Sequence, residues 1–307
     1  MSDPHITILM ATYNGARFLS AQLDSLLAQS HQNWSLIVSD DGSRDATMAI
    51  LLGFDRAHPG RVLQLMQGPR VGSPAQNFMV LLTRSDLPKG MIALADQDDV
   101  WLPQKLARAV DHLAGCPQNL PGIYASKSIL TDTNLIPLRQ KSAPLARPSF
   151  RNALVQNLFA GHSTVLNAAA LALVQKAGAP KNIAFHDWWL YQLIAGAGGS
   201  CRLDPAQTVL YRQHASNAFG ASHGISGALK RLSHLLRNDY GNWLAAHWRA
   251  LHDAAEYLTP EARDLIRDLL DKPLNEPRAM QFRRLNLSRS SATGTASLHL
   301  AARLGRV

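Results

Sequence analysis

The chain of 307 residues, 46% of them hydrophobic, can bury one large core and form one or two domains. Its net charge of +9 leaves phosphorylated substrates, an anionic membrane surface or nucleic acid as partners, and no nucleic-acid-binding motif accompanies the charge. Its 2 cysteines, Cys116 and Cys201, exclude a disulfide framework and stand in no metal-ligand spacing; the N-terminus lacks a secretory pattern and no apolar run reaches membrane-spanning length, so the expectation is a cytosolic protein, neither secreted nor integral.

Residues 6–10, Ile-Thr-Ile-Leu-Met, read as a strand that Ala11-Thr12-Tyr13-Asn14-Gly15 breaks before the helical spacing of Leu19, Leu23, Leu26 and Leu27. A second strand at 35–38 runs into Ser39-Asp40-Asp41-Gly42-Ser43, closing a strand-loop-helix-strand unit within about forty residues. This is the signature of a βαβ crossover in a parallel sheet, with both strand ends on one edge. There Tyr13 can stack on a base and Asp41 can accept a base N–H. Residues 62–66 read as a third strand, and Gly72-Ser73-Pro74-Ala75-Gln76-Asn77-Phe78 as the loop that opens a helix through Leu82. Backbone N–H groups at that helix start suit a nucleotide, and capping alone explains the same residues equally well.

Residues 91–95 form a short apolar strand that ends in Asp96-Gln97-Asp98-Asp99-Val100-Trp101-Leu102-Pro103. Crowded carboxylates at a strand's carboxyl end are unfavourable unless a cation holds them, and hard oxygen ligands suit Mg²⁺ or Mn²⁺ with a diphosphate. The competing reading is a solvated acidic turn before the helix expected from Pro103 to Leu113. Residues 124–127 and 129–132 read as two strands beginning an acceptor half, and residues 134–150, rich in Pro, Arg and Lys, as a loop able to order over substrate.

After Gly220 helical periodicity returns, and the basic residues concentrate late in the chain. Leu229, Leu232, Leu235 and Leu236 beside Lys230, Arg231 and Arg237 are written like an interfacial helix on an anionic membrane, or simply a solvated face. Residues 286–297 are small and polar enough to be mobile. No internal repeat is apparent.

Ala11-Thr12-Tyr13-Asn14, Asp40-Asp41-Gly42-Ser43 and Asp96-Gln97-Asp98-Asp99, in that order and spacing, resemble the family 2 glycosyltransferases, inverting enzymes of the GT-A fold, over roughly residues 5–220. Asp96-Gln97-Asp98-Asp99-Val100-Trp101, His186-Asp187-Trp188-Trp189 and Tyr211-Arg212-Gln213-His214 resemble the bacterial rhamnosyltransferase-like members more closely. The resemblance implies an α/β protein with a mixed, mainly parallel sheet flanked by helices. Residues 1–220 are then the catalytic domain, with a nucleotide-binding half at 1–100 and an acceptor half at 101–220, and 221–307 a helical, basic extension.

The activity so implied is inverting transfer of a sugar from a nucleotide-diphosphate sugar, dTDP-rhamnose being the suggested donor, to a saccharide or lipid-linked acceptor. Such chemistry belongs to cell-surface polysaccharide and lipopolysaccharide synthesis in the cytoplasm, at the inner face of the membrane. On this basis Thr12, Tyr13, Asn14, Asp41, Asp96, Gln97 and Arg212 bind the nucleotide sugar, Asp96 at the ribose and Arg212 able to neutralise the leaving group. Asp98 and His214 hold Mg²⁺ or Mn²⁺, with a purely structural His214 as the competing reading.

Asp187 matches the base that deprotonates the acceptor hydroxyl, and a helix N-cap is its competitor. Trp188 and Trp189 could floor an acceptor site, although consecutive helical residues do not share a face and one of the two is expected in the core. Gly161, before His162, is expected to let the backbone approach a sugar closely. No Gln-x-x-Arg-Trp motif is present, which favours single addition over processive synthesis. Two rivals remain. A sugar-phosphate nucleotidyltransferase would open with a Gly-rich basic loop where this chain has Ala11-Thr12-Tyr13-Asn14-Gly15, and a non-catalytic nucleotide-sugar or membrane-surface binding protein would tolerate loss of Asp187.

Overall fold

β1 (Ile6–Thr12), β2 (Trp34–Asp40) and β4 (Met91–Asp96) are near-continuous apolar runs because both of their faces are covered, as in a parallel sheet layered with helices. Ile6, Ile8 and Met10 pack with Leu19, Leu23 and Leu26 of α1 (Ala16–Leu27) on one face. Leu9 points to the other face, toward Phe78 and Met79 of α3 (Pro74–Leu82). The computed structural model describes residues 3–139, 145–214, 239–271 and 275–307.

With β3 (Val62–Gln67), β5 (Val100–Trp101), β6 (Gly122–Thr131), β7 (Val165–Leu166) and β8 (Ser200–Arg212), the sheet has the order β3-β2-β1-β4-β7-β6-β8-β5. β3, β2, β1 and β4 are parallel; β7 runs antiparallel to both β4 and β6, and β5 antiparallel to β8. Only Gln97, Asp98 and Asp99 separate β4 from β5, yet β5 pairs with β8 at the far edge. The sheet must therefore curl until the β8 edge returns to the carboxyl end of β4. That curl builds the site.

The remaining helices are α2 (Thr47–Ala57), α4 (Lys105–Ala114), α5 (Phe150–Ala153), α6 (Ala168–Ala177), α7 (His186–Gly196), α8 (Asp239–Asp253), α9 (Pro260–Leu270), α10 (Arg278–Arg284) and α11 (Ala292–Arg303). α7 is buried almost all round, which is how an inner helix reads. Trp248, Leu251 and Phe282 of the C-terminal helices join its apolar cluster, and Trp248 Nε1 donates to the Leu154 carbonyl at 3.0 Å. No helix among the described residues is long and apolar enough to cross a membrane.

Two expectations change. Residues 124–127 and 129–131 belong to one strand, β6, which ends one residue before the expected bound at 132 and whose ladder with β8 shifts register around Lys127 and so breaks the alternation that the sequence displays. Residues 286–297 are anchored rather than mobile: Leu287 is buried in the core, the Ser290 N–H donates to Gln156 Oε1 at 2.7 Å, and Ser291 Oγ accepts the Gly294 N–H at 3.0 Å and caps α11, which buries Leu298, Ala301 and Ala302. The interfacial-helix pattern from Leu229 to Arg237, and positions 140–144 of the loop at 134–150, lie outside the described residues.

Candidate active site

The loops after β1 and β2 are bonded to each other side chain by backbone. Asp40 accepts the Thr12 hydroxyl at 2.9 Å, the Ser43 hydroxyl at 2.6 Å, and the Gly42 and Ser43 N–H groups at 3.1 and 2.8 Å, an Asx turn that shapes the Asp-Gly-Ser loop. Asn14, at φ 46°, donates its N–H to Ser43 Oγ at 2.8 Å and accepts the Arg44 N–H at 2.8 Å. Gln97 reaches back from the acidic loop and grips the Tyr13 peptide at both ends, accepting its N–H and donating to its carbonyl at 2.9 Å each. A Cβ on Gly15 would lie 2.1 Å from Gln97 Oε1, so only glycine permits this clamp.

These bonds leave Tyr13 51% exposed over an open cleft of about 370 Å³ lined by Asp41, Ser43, Arg44, Arg70 and Gly72. Asp41 is buried in its floor and accepts the N–H groups of Arg70 and Gly72, so the loop before α3 hangs from that carboxylate. Tyr13 and Asp41 share the cleft as expected. Thr12, Asn14 and Gln97 act on it through their bonds to its walls. Arg44 and Arg70 were not singled out, and the available signal was a lone arginine in each Gly-bearing loop.

The carboxylates after β4 occupy different environments. Asp98 Oδ2 lies 2.8 Å from His214 Nε2. Burial, with the charges of Asp98 and Asp187 adding, pushes the Asp96 carboxyl up to about 8. Asp99 is fully buried and also pushed well above the usual carboxylate range by burial and by Asp98 and Asp96, against the Arg212 N–H bond and charge. Beneath it lie Lys105, brought down to about 7 by burial although Asp99 opposes the shift, and His162, brought down to about 3 by burial and Lys105. Lys105 is fully buried with its ammonium 3.6 Å from the centre of the Trp101 ring, a position that helix periodicity alone did not mark as internal.

Arg212 is 4% exposed. Its Nε donates to the Asp98 carbonyl at 2.8 Å, its Nη1 to the Thr133 carbonyl, and its backbone N–H to Asp99 Oδ1 at 3.1 Å. A guanidinium so engaged holds the acidic loop in place, in departure from the leaving-group contact expected for it. Phe18 of α1 supports both β8-end residues: the Arg212 guanidinium lies 4.5 Å from its ring centre, and the His214 ring stacks on it at 5.1 Å.

Among the described residues, two groups of side chains near the acidic loop fit a divalent cation. Asp98 Oδ2 and His214 Nε2 stand 2.8 Å apart, near the ~3 Å between adjacent ligands of an octahedral ion with bonds of about 2.1 Å. Asp96, Asp99 and His162 offer atoms within 4.8 Å of one another, and Asp99 Oδ2 is buried with no hydrogen-bond partner. The second group already faces the Lys105 cation, which favours the first. Oxygen donors with one imidazole suit Mg²⁺ or Mn²⁺.

Asp187 lies in the first turn of α7, whose N-cap is Phe185, so its carboxylate is not the cap. It accepts the Gly161 N–H at 2.9 Å and the Trp188 N–H at 2.7 Å, and its charge is felt at Asp96. A Cβ on Gly161 would meet His186 Nε2 at 2.7 Å, so the close approach that the glycine permits here is to the start of α7. Trp188 and Trp189 are also corrected: at 4% and 1% exposure both lie in the core, and Trp188 Nε1 donates to the Ala153 carbonyl at 2.7 Å. Consecutive helical residues do face different ways, but α7 is covered on nearly every side, so neither ring floors a cleft.

Residues 7–162 match the model of the family described as "Glycosyl transferase family 2". The dTDP-rhamnosyl transferase RfbG of Shigella flexneri is 30% identical over 242 residues, 75% of this chain and 80% of that protein. The UDP-Glc:alpha-D-GlcNAc-diphosphoundecaprenol beta-1,3-glucosyltransferase WfgD of Escherichia coli is 28% identical over 136 residues, 44% of this chain and 51% of that protein. Among solved structures, the mannosyltransferase PcManGT from Pyrobaculum calidifontis, in complex with GDP-Man and Mn²⁺, superposes with a TM-score of 0.54 at 17% identity, covering 100% of this chain and 88% of that one. S. aureus TarS 1-349 in complex with UDP-GlcNAc gives 0.54 at 13% identity, over 98% and 92% of the two chains. The shared architecture is the GT-A fold, as the motif order implies. Motifs, sheet and similarities agree that the chain belongs to glycosyl transferase family 2.

Proposed function

We propose that this protein is an inverting, divalent-metal-dependent glycosyltransferase that moves rhamnose from dTDP-rhamnose to a saccharide or lipid-linked acceptor in cell-surface polysaccharide synthesis. The donor is read from the similarity to the Shigella flexneri enzyme, and the acceptor class from the relatives' names. The observation that carries the reading is the convergence of Asp96, the Asp98–His214 pair and Asp187 beside the cleft of Tyr13 and Asp41. A cleft for a base, a cation site and a carboxylate near that site are the parts a single displacement needs.

In this mechanism Tyr13 stacks on the base, Asp41 accepts a base N–H, and Asp96 binds the ribose. Asp98 and His214 hold Mg²⁺ or Mn²⁺, which when bound supplies positive charge against the leaving diphosphate. Asp187 takes the proton of the acceptor hydroxyl as its oxygen bonds to the anomeric carbon from the face opposite the diphosphate. The bond from that carbon to the diphosphate oxygen breaks, its electron pair leaves with the nucleoside diphosphate, and the configuration inverts. Residues 1–100 form the nucleotide-binding half and 101–220 the acceptor half. The basic segment 221–307 favours a cytoplasmic position against the anionic inner face of the membrane.

The test is incubation with dTDP-rhamnose, UDP-glucose and GDP-mannose in Mn²⁺, with release of nucleoside diphosphate measured and the product's anomeric configuration read by NMR. Release of dTDP from dTDP-rhamnose with inversion is the expected result. Pyrophosphate release from a sugar 1-phosphate and a nucleoside triphosphate would replace the reading with nucleotidyl transfer. Donor binding without turnover, unchanged in Asp187→Ala, would replace it with a binding protein.

A further inference from the structure

We propose that Arg17 is a further catalytic residue, a cation that contacts the terminal phosphate of the leaving nucleoside diphosphate. This rests on the glycosyltransfer reading above. Arg212, whose charge interacts with Asp98 and Asp99, has its guanidinium buried and bonded to the carbonyls of Asp98 and Thr133. A leaving diphosphate gains negative charge as the glycosidic bond breaks, and a fixed cation facing it stabilises that charge. The side chain placed to do so belongs to the first turn of α1.

Arg17 is exposed, and among the described residues no ion pair engages its guanidinium. Its guanidinium carbon lies 4.9 Å from the centre of the Phe18 ring. The same ring carries Arg212 at 4.5 Å and His214 at 5.1 Å, and His214 in turn bonds Asp98 at 2.8 Å. Arg17 is thus one aromatic ring away from the pair proposed to hold the metal, and its charge is felt at Arg212. The backbone beneath it is fixed: Gly15 donates to Thr47 Oγ1 at 2.8 Å, Ala16 to Asp45 Oδ2 at 3.0 Å, and Gln97 clamps Tyr13. A planar guanidinium can meet two phosphate oxygens at once, which a lysine ammonium cannot reproduce.

The experiment measures affinities of the wild type, Arg17→Ala and Arg17→Lys for UDP, GDP and dTDP, and for the matching monophosphates, in Mn²⁺. For the diphosphate that the wild type prefers, Arg17→Ala should weaken binding about 10- to 100-fold and lower kcat, while affinity for the monophosphate changes less than about threefold. Arg17→Lys should recover part of the loss, and thermal unfolding of both variants should match the wild type because the side chain is exposed. Unchanged diphosphate affinity and kcat in Arg17→Ala overturn this inference alone. Equal weakening of the mono- and diphosphate overturns the assignment to the terminal phosphate. A wild type that binds none of the three diphosphates overturns the functional reading, and this inference with it.

Discussion

His214 Nε2 lies 2.8 Å from Asp98 Oδ2, joining the end of β8 to the loop after β4 across 116 positions of sequence. In the proposed mechanism this imidazole nitrogen and carboxylate oxygen share a divalent ion, with Phe18 stacked behind the imidazole to fix its plane. Asp98→Ala and His214→Ala should therefore weaken Mn²⁺ binding in isothermal titration, and Asp98→Ala should lower turnover on the order of 10²-fold or more. Full activity in excess chelator would remove the metal from the mechanism, and full activity of Asp98→Ala would remove the residue.

Asp187→Asn isolates proton transfer. Asparagine keeps an oxygen able to accept the Gly161 or Trp188 N–H that Asp187 accepts now, so the start of α7 should survive. We expect kcat to fall on the order of 10²- to 10⁴-fold with donor affinity unchanged. Near-normal kcat would mean that the carboxylate serves only its two backbone partners.

In the nucleotide cleft, Tyr13→Ala should weaken nucleoside diphosphate binding by about 1 to 3 kcal/mol through lost stacking. Asp41→Ala should weaken it too, and should also free the loop that its carboxylate holds through the Arg70 and Gly72 N–H groups. Hydrogen exchange would report faster opening of residues 68–72 in that variant only. Wild-type affinity in both variants would contradict the cleft assignment.

Trp188→Ala tests the correction to the acceptor site. Removing a core indole that donates to the Ala153 carbonyl should lower stability by about 3 to 5 kcal/mol. At temperatures where the variant stays folded, KM for the acceptor should be unchanged. A raised acceptor KM with wild-type stability would return the ring to the substrate.

The raised Asp96 carboxyl sets a pH dependence. Its ordinary value is 3.8 and its folded value about 8, so between them the unfolded chain ionises while the folded chain keeps its proton. This contribution is therefore fully present below about 4, falls as pH rises, and is gone above about 8. Asp99 is shifted in the same direction. The metal-free protein should lose thermal stability from about pH 5 to about pH 8, Mn²⁺ should restore it most at the upper end, and Asp96→Asn should flatten the profile. A metal-free melting temperature that rises across this window would contradict the assignment.

What the sequence determined by itself was local. Apolar runs at β1, β2 and β4, leucines at helical spacing in α1, and the breaks at Ala11-Thr12-Tyr13-Asn14-Gly15 and Asp40-Asp41-Gly42-Ser43 identify a parallel α/β sheet whose loops gather on one edge, because periodicity and turn chemistry act between near neighbours. Tyr13, Asp41 and the carboxylates after β4 were legible as one cluster for that reason. The tertiary structure decided everything that depended on the curl of the sheet. Only pairing of β5 with β8 brings His214 to Asp98 and turns Arg212 inward onto the acidic loop, and such long-range pairing leaves no local pattern. The same holds for α7. Aromatic residues beside a carboxylate look alike on a sugar platform and in a core, and what separates them is which elements cover the helix: here neighbours on nearly every side bury Trp188 and Trp189 and leave Asp187 bonded to Gly161. Burial also shifts the Lys105 ammonium and the Asp96 carboxyl, since the loss of water around a charge is a property of the packed structure rather than of the residue.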